Sequence, residues 1–309
     1  MTVSVIIPYY NRPDKLKRCL ESIFAQSFKD YEVIVVDDFS NQSPEFKHPE
    51  FIYIRNHENI GAGASRNRGL EIARGRYICF LDSDDYWHPD FLETLVGKIS
   101  LQKELSMVYA NGLIINENEE VVKIRRNAVK NVTSIVPHIL MHGRPWGTGG
   151  CMWDRKTIGN SRWINARTWE DYAFDIDIAI KSNKVASVEK KLIYYDGTGH
   201  DRLSNQDEGK SLNGKRQSLI YISHTLFSSQ FRNDFKTKSA ISIQLLNTIM
   251  AYIMYEGYRS NARKAIVGQF VKWNGRLLGY YVALLSHSPS YIALMLLRRL
   301  RNGFQRGIK

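Results

Sequence analysis

The segment Phe80-Leu81-Asp82-Ser83-Asp84-Asp85 joins an apolar run directly to a cluster of carboxylates. The run Arg76-Tyr77-Ile78-Cys79-Phe80-Leu81 is short and rich in aromatic and branched side chains, which predicts a buried strand. Like charges crowded at the end of such a strand resist joint ionisation. A divalent cation removes the conflict. Carboxylate oxygens are ligands that Mg²⁺ and Mn²⁺ favour, and Mg²⁺ is commonly held by one or two carboxylates together with substrate phosphates. In open α/β sheets, ligands bind at the carboxyl ends of strands, where these acids fall. An isolated Asp-x-Asp would more simply be a solvated turn capping a helix expected from about Pro89, so the weight rests on what surrounds it.

The elements that must position these acids alternate along the first part of the chain. Val3-Ser4-Val5-Ile6-Ile7 reads as a strand, and Asn11-Arg12-Pro13-Asp14 as a turn and helix start, with Pro13 suited to a first helical turn. Leu16, Leu20, Ile23 and Phe24 recur at helical spacing. Tyr31 to Val36 is a second strand, ending in Asp37-Asp38, and Phe51-Ile52-Tyr53-Ile54 a third. Gly61-Ala62-Gly63-Ala64-Ser65 opens a helix through Leu70 and Ile72, and the strand ending at Asp82 follows. This order predicts a mainly parallel, doubly wound α/β sheet with flanking helices. Between about Met107 and Val136 the pattern is β-rich around Asn116-Glu117-Asn118-Glu119. Next come Trp146-Gly147-Thr148-Gly149-Gly150 and the acidic Trp169-Glu170-Asp171-Tyr172, and from about Asp207 the pattern is helical. The expected division is a domain over residues 1–206 and a helical, basic region over 207–309.

Three acidic stations thus fall on strand ends or loops: Asp37 and Asp38, then Asp82 and Asp84, then Asp171. With Ser4-Val5-Ile6-Ile7-Pro8-Tyr9-Tyr10-Asn11, Val35-Val36-Asp37-Asp38-Phe39-Ser40, Asn59-Ile60-Gly61, Ser65-Arg66-Asn67-x-Gly69, Pro89-Asp90 and Glu170-Asp171, the chain resembles the family 2 glycosyltransferases of the GT-A fold. The resemblance covers about residues 2 to 205. One departure is Phe39, where that family usually carries Gly or Asn before Ser40.

The resemblance implies a site. Pro8 and Tyr10 line a nucleobase pocket, Tyr10 as a stacking face, and Asp38 accepts a hydrogen bond from the base. Arg66 contacts phosphate or braces the acids. Asp82 and Asp84 place Mn²⁺ or Mg²⁺ against the diphosphate of a nucleotide-sugar donor, with UDP the expected carrier. Asp85 is either a third acid or a helix cap. Asp171 is the general base for the acceptor hydroxyl. Its aromatic neighbours Trp169, Tyr172 and Phe174 would desolvate it and strengthen it as a base. His200 either closes over diphosphate and metal on the loop Gly197-Thr198-Gly199-His200 or lies on a plain exposed loop. The glycines at 147–150 either admit close backbone approach to the sugar or acceptor, or form a simple turn. One attack assisted by one base inverts the anomeric centre.

Composition sets the outer bounds. The 309 residues are 43% hydrophobic and 12% aromatic, which is globular rather than disordered. Cys19, Cys79 and Cys151 lack metal-ligand or disulfide spacing and are expected reduced. The chain enters a strand at Val3 without a basic or apolar leader, so no signal peptide is expected. The net charge is +12, yet Gly257 to Lys309 holds ten Lys or Arg and no acid, leaving the remainder nearly neutral. Nucleic acid is therefore not the expected partner. Leu277 to Leu297 has no formally charged side chain but is interrupted by Ser286-His287-Ser288-Pro289-Ser290. An interfacial helix pair on anionic lipid is the expected form, with a membrane span and a packed bundle as alternatives. Taken with the resemblance, such attachment implies a peripheral protein on the cytoplasmic side of the inner membrane, acting on a lipid-linked or oligosaccharide acceptor, as in bacterial relatives that build surface polysaccharides. Two rivals are a sugar-nucleotide nucleotidyltransferase and a non-catalytic scaffold. The first would carry a glycine-rich basic signature where Pro8-Tyr9-Tyr10-Asn11 stands, and intact Asp84 and Asp171 argue against the second.

Overall fold

The computed structural model describes residues 1–41, 51–116, 118, 120–124, 131–198, 208–256, 262–287 and 291–308. Its contacts divide the chain into two compact units, the first formed by Met1–Ile135, Gly143–Asn165 and Lys181–His200, the second by Val136–His142, Ala166–Ile180 and Asp201–Lys309.

The first unit is built on β1 (Val3–Tyr9), α1 (Pro13–Phe24), β2 (Tyr31–Asp37), β3 (Phe51–Arg55), α2 (Ala62–Ile72), β4 (Tyr77–Phe80), β5 (Tyr86–Trp87), α3 (Phe91–Ser100), β6 (Met107–Ile115), β7 (Val121–Ile124), β8 (Cys151–Asp154), α5 (Arg155–Ile158) and β9 (Val185–Asp196). Among the described residues its strands form one nine-stranded sheet in the order β3-β2-β1-β4-β8-β6-β9-β5, with β7 paired to β6. From β3 to β4 all neighbours run parallel. Beyond β4 the sheet is mixed, since β8 runs antiparallel to both β4 and β6. β1 and β2 are buried at every position, as strands covered on both faces must be. The charge this traps, Glu32, accepts from the Ser4 hydroxyl at 2.6 Å and pairs with Arg74 at 2.9 Å. Burial opposes its ionisation, but these partners hold its carboxyl below the usual range.

Helix α1 buries Leu16, Cys19, Leu20 and Ile23, a one-sided stripe at helical spacing. Helix α2 lies closer to the sheet. A Cβ on Gly69 would stand 2.4 Å from Ile6 Cγ2 and 3.3 Å from Val36 Cγ2, so only glycine allows this approach. Pro8 is tolerated within a central strand because the β1–β4 ladder stops at Ile6, before its missing donor would be needed.

The second unit is helical: α4 (His138–His142), α6 (Glu170–Ala179), α7 (Glu208–Phe227), α8 (Phe235–Glu256), α9 (Ala262–Asn274), α10 (Arg276–His287) and α11 (Tyr291–Ile308). Its core gathers Leu245, Leu246, Ile249 and Tyr252 of α8, Ile266, Phe270 and Trp273 of α9, and Val282 of α10. The stretch considered as a span is divided between α10 and α11, and among the described residues no helix is long and apolar enough to cross a membrane.

Candidate active site

Parallel register brings the acidic strand ends to one edge of the sheet. Tyr9 pairs with Asp37 and Ile6 with Phe80, so the turns after β1, β2 and β4 leave together. Within this unit lie Pro8, Tyr10, Asp38, Arg66, Asp82 and Asp84. Pro8 is buried inside β1, whereas Tyr10, one residue past the strand, is exposed. Asp171 belongs to the second unit, and His200 lies outside the described residues.

The two acids at the end of β2 do different things. Asp37 is wholly buried and accepts from the Ser40 N–H at 2.8 Å and from the Tyr53 hydroxyl. That bond closes a turn whose apex, Phe39, has φ of 70°. The family's habitual Gly or Asn there is thereby explained: the position is left-handed, and this chain places a half-exposed Phe in it. The Arg55 guanidinium sits 5.6 Å from the Phe39 ring centre, and its Nη2 donates to the Ser40 carbonyl at 2.5 Å. Asp38 accepts from Asn56 Nδ2 and the Ile60 N–H through Oδ1, and from the Gly61 N–H through Oδ2, each at 2.8 Å. Three of about four carboxylate lone-pair sites are thus used, leaving one on Oδ2 for a ligand. Asp38 also fixes the loop that starts α2, whose first residue follows Gly61 at φ of 87°.

The turn after β4 holds its acids among cations. Arg66 is buried, lies 4.4 Å from the Trp163 ring centre and bonds Asp82 Oδ1. Arg12 Nη1 meets Asp84 Oδ2 at 2.9 Å. The Asp84 carboxyl is pushed up, first by burial and then by the charge of Asp82, with Arg12 opposing. Asp85 accepts from the Asp196 N–H at 3.1 Å, while α3 begins only at Phe91, so Asp85 does not cap that helix. The glycines at 149 and 150 allow close packing within the protein: a Cβ on Gly149 would come 2.8 Å from Ile193 and 3.0 Å from Leu81, and the Gly149 carbonyl accepts from Trp87 Nε1 at 2.8 Å.

Sequence reasoning missed Asp196 and the basic row that faces it. Lys15 Nζ lies 3.0 Å and Arg18 Nη2 3.1 Å from Asp196 Oδ2, and Thr198 donates through its N–H at 2.8 Å. Burial opposes ionisation of Asp196, but the Thr198 bonds and Lys15 outweigh it and bring its pKa down to about 2. The signal was present, since Asp196 ends the apolar run of β9 just as Asp37 ends β2.

In the second unit Asp171 occupies the first turn of α6, its Oδ1 accepting from the Tyr172 N–H at 2.8 Å. Trp169 and Tyr172 stack on each other at 4.5 Å, and Phe174 is buried in the core.

A mixed β–α sheet whose parallel strands carry these acids at their carboxyl ends is the GT-A fold. Residues 4–157 match the family described as Glycosyl transferase family 2, and the chain belongs to that family. It is 29% identical over 223 residues to the uncharacterized glycosyltransferase MJ1057 of Methanocaldococcus jannaschii, covering 62% of this chain and 76% of that one. It is 37% identical over 126 residues to the UDP-Glc:alpha-D-GlcNAc-diphosphoundecaprenol beta-1,3-glucosyltransferase WfgD of Escherichia coli, covering 39% of this chain. The match spans about half of WfgD, 49% of its length. Among solved structures, S. aureus TarS 1-349 in complex with UDP-GlcNAc superposes with a TM-score of 0.71 at 16% identity, over 99% of this chain and 92% of that one.

Proposed function

We propose that this protein transfers a sugar, with inversion, from a nucleoside-diphosphate donor to a hydroxyl of a lipid-linked glycan at the cytoplasmic face of the inner membrane. The observation that carries the reading is the convergence of Asp38, Asp82 and Asp84 on one sheet edge in a family 2 chain. The names of WfgD, a glucosyltransferase for a diphosphoundecaprenol-linked sugar, and of TarS bound to UDP-GlcNAc support a UDP-sugar and a lipid-linked acceptor.

Each role follows from the chemistry of its residue. Tyr10 presents an open ring for a nucleobase, and the spare acceptor site on Asp38 receives a base N–H. Arg66 keeps Asp82 oriented. Asp82 and Asp84 are the residues that would hold Mn²⁺ or Mg²⁺. Their donor chemistry fits, because carboxylate oxygens are preferred ligands of these ions, and the Asp84 carboxyl is pushed up by burial and by its neighbour's charge, which a cation would relieve. Among the described residues no three His, Cys, Asp or Glu side chains form a metal cage. When bound, such an ion stabilises the departing diphosphate as a Lewis acid. Asp171 takes the proton of the acceptor hydroxyl as its oxygen bonds to the anomeric carbon and the bond to the diphosphate breaks.

Attachment to the membrane is supported by α10. Leu277, Tyr280, Tyr281 and Leu284, spaced as one helical stripe, are all exposed, and ten basic residues with no acid follow Glu256.

The test is release of UDP from UDP-glucose and UDP-GlcNAc, with Mn²⁺ or with chelator, in the presence of undecaprenyl-diphosphate-linked sugar. Metal-dependent release stimulated by the acceptor is the expected result. Asp171→Asn should lower turnover by a factor on the order of 10² to 10⁴ and leave UDP affinity unchanged. Near-normal turnover in that variant removes Asp171 from the role of base.

A further inference from the structure

The residue before helix α6 is Trp169, with φ of 64° and ψ of 15°. A bulky aromatic in the left-handed region is strained by about 1–2 kcal/mol and persists only where its surroundings impose it. Trp169 provides no side-chain hydrogen bond to cap the helix it begins. A face of α7 packs against this turn. Ser218 Oγ donates to the Thr168 carbonyl at 2.7 Å. A Cβ on Gly214 would come 3.0 Å from the Thr168 nitrogen, so the α7 backbone rests on the turn. Lys215 Nζ lies 4.3 Å from the Trp169 ring centre. The Tyr172 ring already covers one face of Trp169, 4.5 Å away and tilted by 14°, which leaves no space for an ammonium on that side. Lys215 therefore covers the other. About two turns further along, the Tyr221 hydroxyl donates to Asp177 at 3.0 Å and ties the same two helices again.

The sandwich brackets Asp171 in sequence. Ala173 N–H bonds the Trp169 carbonyl at 3.0 Å and Tyr172 N–H bonds Asp171 Oδ1, so the first turn of α6 hangs from the strained residue. We propose that Lys215 is a positioning residue for Asp171: by clamping Trp169 against Tyr172 it sets the direction of the carboxylate that takes the acceptor's proton. This rests on the assignment of Asp171 as base. Burial lowers the Lys215 pKa, and that cost of holding an ammonium here is one a simple packing role would not need.

The experiment compares Lys215→Met and Lys215→Arg with Asp171→Asn in the full chain. Methionine keeps the length and removes the charge, and replacing a half-buried cation by an apolar chain need not destabilise the fold. Arginine keeps the charge and stacks on an aromatic face. Two readouts are taken: hydrogen exchange at the amides of Tyr172 and Ala173, which needs no substrate, and UDP release from UDP-glucose and UDP-GlcNAc. Lys215→Met should speed exchange about tenfold and lower kcat about tenfold with donor KM unchanged, while Lys215→Arg should restore both to within about threefold. Unaltered exchange in Lys215→Met overturns the clamp. Faster exchange with wild-type kcat overturns its role in positioning. Wild-type turnover in Asp171→Asn overturns the base assignment instead, and the exchange result then still decides whether the clamp exists.

Discussion

At the scale of single residues, the acids of this site are distinguished by their partners rather than by their type. Asp196 is held ionised well below the usual carboxylate range, at about 2, against an ordinary 3.8. A group whose folded pKa is depressed adds stability above its unfolded pKa and loses it as pH falls through the folded one. Asp196→Asn should therefore remove on the order of 2 kcal/mol at pH 7, with the difference from wild type vanishing between about pH 4 and pH 2. Urea unfolding at a series of pH values measures this, and a difference that persists at pH 2 would assign the loss to packing instead. Asp84 carries the opposite sign, since its raised carboxyl makes the metal-free protein less stable as pH rises past the ordinary carboxylate range. Asp84→Ala should abolish the enhancement of UDP affinity by Mn²⁺, as titration calorimetry with and without the ion would show. Phe39 is the third case. Glycine at that left-handed position relieves about 1–2 kcal/mol of strain but surrenders the Arg55 contact and adds freedom to the unfolded chain. Phe39→Gly should raise stability by up to about 1 kcal/mol. A lowered unfolding midpoint would mean that the ring contact outweighs the strain.

At the scale of elements, the site depends on how closely α2 lies on the sheet, because that helix carries Arg66 to Asp82. Gly69→Ala would place a methyl 2.4 Å from Ile6 Cγ2, a branched group fixed in a buried strand. Overpacking of this kind costs about 1–3 kcal/mol. The displaced helix should also loosen the bond between Arg66 and Asp82 and weaken Mn²⁺-dependent UDP binding. Ile6→Ala vacates the contact, so the double variant should be less destabilised than the sum of the two changes. Strict additivity in chemical denaturation would mean that the helix yields without touching Ile6.

At the scale of the whole molecule, the question is what covers the outer face of α10. Gly279 brings this helix against Val271 of α9, and Val282 and Leu285 point into the bundle, while Leu277 and Leu284 stand 90% and 73% exposed. An anionic bilayer offers both an apolar layer for the stripe and negative charge for the basic tail. Leu277→Asp with Leu284→Asp should leave the fold intact, since neither side chain is packed, and should abolish sedimentation with phosphatidylglycerol vesicles. Binding of the wild-type protein should weaken with salt as screening shortens the reach of each Lys and Arg. Equal sedimentation of both proteins would remove the membrane as the partner of this face.

The stations of acid were legible in the sequence because each is a local event. An apolar run predicts a buried strand, a carboxylate at its end cannot stay buried without a partner, and parallel strands deliver such ends to one edge. The apolar stripe of α1 at Leu16, Leu20 and Ile23 and the helical character of the C-terminal region were local in the same sense. What pairs across the chain was not. Asp196 and Arg18 stand 178 positions apart, and nothing in the sequence around either names the other. That Arg66 braces Asp82, that Asp38 spends three acceptor sites on its own protein, and that Lys215 covers Trp169 were likewise decided by the folded chain. So was the choice of which apolar side of α10 is packed and which is left outside, because periodicity records that a side chain is apolar but not which neighbour will cover it. Hydrophobic pattern and turn chemistry act within a few residues of their cause, whereas charge pairing and close packing act through space, and only the tertiary structure sets those distances.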